Sequence, residues 1–410
     1  MQDRRTSVEA SLSIGSVPLP LSGFRVVDLT RVVAGPFCTM LLADLGAEVI
    51  KIEPPGEGDP IRAQGAIRNG ISWYYAGHNR NKKSLALDLY QAEGKAVLAD
   101  LIARSDVLVE NYRPGVLAKM GFDEARLKAL NPGLVVASVN GYGSTGPYAE
   151  RPAFDFIAQA MSGFMSVNGF ADGPPLRAAN PISDLVAGLY AALGVAAALA
   201  NRTKGGGGQR LETSLLTGMI SLLSYIGAAH LATGKLPART GNAHHVVAPY
   251  GLFRAADGEI AVAPSYDEIV ERFLGAIGLK HLLDDPLYAD NAARLANRAS
   301  LNALVDEAIG RKSREDWIGI LNKAGVPCGR VLNLAEMFAD PQVQAQEMVL
   351  AVPHPGHDVV RMTGFPIKFE GTPCRIRRHA PALGEHTGEV LRLLGRDEAE
   401  IARLKAKGIV

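Results

Sequence analysis

The chain has 410 residues, 47% of them hydrophobic and 21% charged, with 43 basic against 42 acidic side chains. At a net charge of +1 no global field draws it to nucleic acid or an anionic membrane, so neither partner is expected and any anion site must be a local cluster. Three scattered cysteines, Cys38, Cys328 and Cys374, exclude a disulfide framework and fit a reducing compartment. Residues 1–20 have no continuous apolar core, which argues against a secretory signal, and they read as a mobile N-terminal arm. Phe24–Leu29 reads as a buried strand, Phe37–Leu45 as a helix and Ala47–Ile52 as a strand. Lys95–Ala103 is helical, and Val107–Glu110 and Leu134–Asn140 are strands. Apolar strands alternating with helices predict a parallel α/β sheet covered on both faces.

The rhythm then changes. Phe156–Met165 and Asp184–Ala200 read as apolar helices, the second too short and too rich in Ala and Gly for a membrane span. A glycine-rich hairpin, Lys204–Gln209, leads to a further helix expected from about Glu212. Tyr250–Phe253 and Glu259–Ala263 form a hairpin turning at Asp257 and Gly258, and helices follow to about residue 325. Strand-like pieces at Met348–Val352 and Arg361–Ile367 precede a closing amphipathic helix. The expected division is an arm over 1–20, a large domain over 21–224, a small α+β domain over 225–330, and a return to the large domain over 331–410.

Short motifs give conflicting hints. Gly141–Gly146 fits GxGxxG after a strand, but Pro147 and Pro152 follow where a nucleotide site needs a helix N-terminus. The segment reads instead as a loop that closes on a substrate. Gly205–Gly208 lacks the Lys-Ser/Thr ending of a phosphate loop. The pairs His244/His245 and His354/His357 have no further ligand at a metal spacing, so no metal is expected. Asp184 stands at the start of a long apolar helix. There an acid answers the helix dipole, or serves as a carboxylate beside N–H donors able to stabilise an oxyanion.

Taken together, the motifs resemble the class III coenzyme A transferases, the group of formyl-CoA transferase, carnitine CoA-transferase and the methylacyl-CoA racemases. The matching pieces are LSGFRVVDL (Leu21–Leu29), RVVAGP (Arg31–Pro36), DLGAEVIKIE (Asp44–Glu53), NRNKKS (Asn79–Ser84), VENYRPG (Val109–Gly115), Met120-Gly121, NGYGSTGP (Asn140–Pro147) and GEHT (Gly384–Thr387). The resemblance implies a Rossmann-like large domain formed by both chain ends, a smaller domain, and an interlocked homodimer; the cytoplasm is the location expected from the lack of a secretory signal and the sparse cysteines. It makes Asp184 the attacking carboxylate, downstream of GFADGPP (Gly169–Pro175). No cofactor is bound permanently, and the coenzyme A thioester is a substrate. The implied CoA contacts are Val33, Ala34, Arg80, Lys82, Leu87, Asn111, Arg113, Lys119, Tyr142 and Gly143. The family arginine after Lys-Ile-Glu is replaced by Pro54.

The segment Gly241–Tyr250 looks like that of the succinyl-CoA-dependent dicarboxylate transferases, with His244 and Arg239 as acceptor contacts. Phe154 stands where the racemases carry a histidine, and a racemase needs two bases, so a transferase is favoured. An acyl-CoA racemase or epimerase, an intramolecular transferase and a non-catalytic acyl-CoA-binding homologue remain the alternatives.

Overall fold

The computed structural model describes residues 17–410. Most of the expected arm lies outside the described residues, and Leu19 near its end is buried. The chain divides into two units. The first comprises residues up to Ser162, Ala179–Ser221 and Pro341–Val410; the second comprises Gly163–Ala178 and Leu222–Asp340.

The first unit is built on a sheet of six parallel strands: β1 (Arg25–Asp28), β2 (Glu48–Glu53), β3 (Lys82–Ala86), β4 (Val107–Glu110), β5 (Val135–Asn140) and β6 (Arg210–Ser214). Their order is β3-β2-β1-β4-β5-β6, that of a Rossmann sheet. Successive strand residues point to opposite faces, and the four inner strands carry apolar residues on both. Val27, Ile50, Leu108 and Val136 enter a core closed by α2 (Ala92–Ala103) and by the C-terminal residues Val390, Leu391, Ile401 and Leu404. Their neighbours Val26, Val49, Val107 and Val135 enter the opposite core. That core is closed by α1 (Ala34–Asp44) and the long α4 (Ile182–Thr203), with the short α3 (Asp155–Met161) between them in sequence. The last seventy residues therefore complete the sheet's covering layer.

Two strands differ from expectation. Arg210–Ser214 pairs in parallel with β5 as the sheet's edge, and the helix expected near Glu212 begins at Leu215. Gly205–Gly208 is accordingly a helix-to-strand connection, closing tightly where a Cβ on Gly208 would stand 2.4 Å from the Leu134 carbonyl oxygen. Lys82–Ala86, polar enough to escape notice, is the other edge.

Helix α4 is long and apolar enough by length and composition to cross a membrane, yet it packs into the first unit's core through Ala187, Ala191, Val195 and Ala198. Its crossing with α1 is close because Gly188 has no side chain: a Cβ there would lie 2.4 Å from the Ala34 carbonyl oxygen.

The second unit has its own core. Gly251–Ala255 and Gly258–Val262 form the expected hairpin, and Cys328–Arg330 adds a third antiparallel strand. Phe253, Phe273 and Trp317 pack beneath it, with the Trp317 indole N–H donating to the Ile309 carbonyl at 2.6 Å.

Candidate active site

In an open parallel sheet, ligands bind at the carboxyl ends of the strands where the order reverses. Here the reversal lies between β1 and β4. A cavity of about 180 Å³ opens there. It is lined by the segment Arg31–Ala34 after β1, by Asn111–Pro114 after β4, by Val139–Gly141 at the end of β5, and by Arg151, Phe154 and Asp184. Asn111 joins the first two segments: its side-chain amide accepts from the Arg31 N–H at 2.9 Å and donates to the Arg31 carbonyl at 2.8 Å.

Asp184 lies in the first turn of α4, partly buried in the cavity wall. Burial, and then the nearby Asp155 carboxylate, push its carboxyl up to about 7. Among the described residues no cation forms an ion pair with it. Asp155 caps the same helix, accepting from the Ser183 N–H at 3.0 Å and the Ser183 hydroxyl at 2.9 Å. It also accepts from Gln159 at 2.8 Å. Tyr74 stands within electrostatic reach of Asp184, and burial followed by that carboxylate raises its phenol above the ordinary value. The cavity thus combines one carboxylate able to ionise near neutrality with three guanidinium groups, Arg31, Arg113 and Arg151. Among the described residues no histidine lines it.

Four of the sequence-derived positions meet at this cavity besides Asp184: Val33, Ala34, Asn111 and Arg113. Others do not. Arg80 is almost wholly buried, paired with Asp44 at 2.7 Å, donating to the Thr363 carbonyl at 2.8 Å and lying over the Phe365 ring. Lys82 is fully buried between Asp28 at 3.1 Å, the Pro36 carbonyl at 3.0 Å and Asn79 at 2.9 Å. Burial draws its ammonium down to about 8 against the pull of Asp28. Both cations are buried against acids, and neither lines the cavity where the expectation placed them.

Leu87 is also core, and its N–H donates to the Glu53 carbonyl at 2.8 Å. Lys119 is exposed at the end of a short helix and does not line the cavity. Tyr142 and Gly143 belong to the glycine loop, of which only Gly141 lines the cavity. No helix opens on those glycines, as the two prolines implied. The loop is pinned instead: Gly143 N–H donates to Asn140 at 2.6 Å and Ser144 N–H to Glu212 at 2.9 Å.

Within the second unit, the His244 ring stacks on Tyr225 at 5.4 Å, accepts the Val246 N–H at Nδ1 and meets the Tyr225 hydroxyl at Nε2. Arg239 donates to the carbonyls of Phe170, Ala171 and Gly173. Both side chains thus have partners within the second unit, and neither is among the residues that line the cavity. Arg31, Arg151 and Tyr74 were the residues that motif reading missed. Arg151 lies in a segment read as loop, and its guanidinium sits 3.9 Å above the Tyr148 ring.

The model of the family described as CoA-transferase family III matches residues 21–387. The chain belongs to CoA-transferase family III. A succinate–glutarate CoA-transferase of Agrobacterium fabrum is 37% identical to this enzyme over 379 residues, covering 91% of this chain and 95% of its own. A succinyl-CoA–D-citramalate CoA-transferase of Chloroflexus aurantiacus is 37% identical over 396 residues, covering 96% and 98%. The crystal structure of a CAIB/BAIF family protein from Brucella suis superposes with a TM-score of 0.81 at 37% identity, covering 92% of this chain and all of that one. The enzyme is therefore a class III CoA-transferase with the α/β fold of its family.

Proposed function

We propose that this transferase moves coenzyme A from an acyl-CoA donor, succinyl-CoA in the first instance, to a dicarboxylic acid, with Asp184 as the nucleophile. The observation that carries the reading is a carboxylate, poised to ionise near neutrality, in a cavity at the sheet's reversal point whose other charged lining residues are Arg31, Arg113 and Arg151. The relatives described above use succinyl-CoA or succinate with five-carbon dicarboxylic acids, by their names.

An Asp184 carboxylate oxygen attacks the thioester carbon. The new C–O bond forms as the C–S bond breaks, giving a mixed anhydride and CoA thiolate. The thiolate attacks the aspartyl carbonyl, the donor leaves as a carboxylate, and Asp184 carries CoA as a thioester. The acceptor carboxylate then attacks that aspartyl carbon, releasing the thiolate, and the thiolate takes the acceptor's acyl carbon. Asp184 is regenerated with the thioester bond conserved. Arg31, Arg113 and Arg151 supply fixed positive charge for the carboxylates and CoA phosphates. Water must be kept out while the anhydride exists.

A racemase removes and returns an α-proton with two bases. Among the described residues the cavity lining offers one acid, and Phe154, three-quarters exposed, stands at the other candidate position. The test is incubation with succinyl-CoA and glutarate, followed by chromatography and mass spectrometry of the thioesters. Glutaryl-CoA should accumulate, and hydroxylamine should convert Asp184 to its hydroxamate only when an acyl-CoA is present. Asp184→Asn should lower transfer by at least ~10³-fold, as for loss of a nucleophile. An Asn variant transferring at the parent rate overturns the proposal.

A homodimer is part of the same reading. Leu189, Tyr190 and Leu193 on α4, with Phe156 and Ile157 on α3, form exposed apolar surface on the first unit. Exposed apolar side chains clustered on two helices favour an interface.

A further inference from the structure

The wall of the cavity contains a backbone conformation that its own residue disfavours. Val32 has φ +69°, in the left-handed region where a β-branched side chain is an outlier. Such a residue persists only where its surroundings over-determine it. The segment around it is tied at three consecutive positions. Thr30 donates its N–H to Asp28 at 2.9 Å, and its carbonyl accepts from Lys51 Nζ at 2.7 Å. Arg31 is engaged at both N–H and carbonyl by Asn111. Val32 donates its N–H to both carboxylate oxygens of Asp59, at 3.2 and 3.3 Å.

Asp59 is the group that acts on the strained residue itself. It is 3% exposed, and Lys51 Nζ, wholly buried, lies 2.9 Å from its Oδ2. Lys51 therefore links the hold on Val32 to the hold on Thr30. Asp59 also accepts the Ile61 N–H at 3.1 Å, so the carboxylate is itself fixed in orientation. Immediately after Val32, Val33 and Ala34 turn into α1 and form part of the cavity wall that also contains Asp184. A valine free to leave the left-handed region would carry those two residues with it. A displacement of about 1 Å at a reacting site can cost of order 10²-fold in rate.

We propose that Asp59, with Lys51 as its counter-ion, is a positioning residue of the transfer reaction: it holds Val32 left-handed and so fixes Val33 and Ala34 in the cavity wall. This rests on the CoA-transfer reading above. Asp59 touches no substrate; it acts through Val32.

The experiment exploits the residue that needs holding. Glycine adopts φ near +69° without steric cost, so Val32→Gly removes the requirement for Asp59. The enzyme is prepared as the full chain in five forms: parent, D59A, D59N, V32G and D59A/V32G. Each is measured for kcat and KM with succinyl-CoA, for CoA affinity by calorimetry and for Tm. D59A is expected to lower kcat/KM at least ~30-fold, on the scale of a misplaced site. D59A/V32G should recover at least ~10-fold of that loss while its Tm stays at the D59A value, since the buried Lys51 still lacks the carboxylate in contact with it.

Activity that follows Tm in every form would overturn the proposal, because a purely structural role predicts that dependence. So would parent kcat/KM in D59A, or a double variant no better than D59A. Should D59A not fold, D59N and D59N/V32G carry the same comparison, the amide oxygen being a weaker acceptor. A parent enzyme without transfer would defeat the functional reading instead, and CoA affinity across the same series would then decide the positioning role.

Discussion

Two carboxylates at the start of α4 have different tasks, and their surroundings assign them. Asp155 accepts hydrogen bonds from Ser183 and Gln159, while Asp184 lines the cavity and, among the described residues, forms no ion pair. Burial and the Asp155 charge raise Asp184 to about 7, so its attacking form is incomplete at neutral pH. We expect kcat/KM for the acyl-CoA to rise with pH through an inflection near 7 and then level. Asp155→Asn keeps an acceptor oxygen for Ser183 but removes the charge, so the inflection should move to lower pH. It should move only part of the way, because burial is the larger cause.

The sign for stability is the reverse. The folded value lies above the unfolded 3.8, so folding is unaffected by ionisation below about 4 and is increasingly opposed as pH rises to 7. Asp184→Asn should therefore match the parent's stability near pH 4 and exceed it by on the order of 2 kcal/mol at pH 8, the carboxyl's partial contact with solvent holding the gain down. Thermal unfolding at the two pH values measures it. At the same scale, Lys82→Met should cost about 3 kcal/mol, since it removes the nearest counter-charge from buried Asp28, while leaving CoA affinity in the folded fraction unchanged. Arg113→Ala should do the opposite, weakening CoA binding at constant Tm.

Helix α4 carries the nucleophile at one end and the core in its middle, and Gly188 connects the two tasks. Its missing side chain lets the helix lie against the Ala34 carbonyl, at the start of α1 and in the cavity wall. Gly188→Ala should push α4 away from α1, destabilising the fold by about 1–3 kcal/mol through overpacking. Because Asp184 lies one turn away on the same helix, kcat should fall as well. Calorimetry and steady-state kinetics on the same preparation separate the two effects. The edge strand β6 shows how an element escapes pattern reading. Arg210, Glu212 and Ser214 alternate with Leu211 and Thr213, and only backbone pairing to β5 makes the segment a strand. Edge strands need no continuous apolar run, because one side has no neighbouring strand to pack beside.

For the molecule as a whole, the exposed apolar residues of α3 and α4 are the principal feature that the first unit's own core does not explain. Leu189 and Leu193 stand four residues apart on one helical stripe and are 55% and 63% exposed. Light scattering should give a dimer at micromolar concentration. Leu193→Asp should dissociate or precipitate it, since a carboxylate buried in an apolar contact has no partner. A parent monomer would remove the interface assignment.

The sequence by itself determined the sheet's interior, because strands buried on both faces must be apolar at nearly every position, as Val26, Val27, Val49 and Ile50 are. It also determined the start of α4 and the acid in its first turn, since a helix terminus leaves local marks. Only the tertiary structure decided the fate of the charges. Arg80 and Lys82 read as free cations in a one-dimensional list, yet Asp44 and Asp28, 36 and 54 residues away, draw them inside. A buried charge is admissible only with its partner, and the partner's position is a property of the folded chain. For the same reason Arg31, Arg151 and Asp184 became one site only when β1, the segment before α3 and α4 were brought to the same end of the sheet.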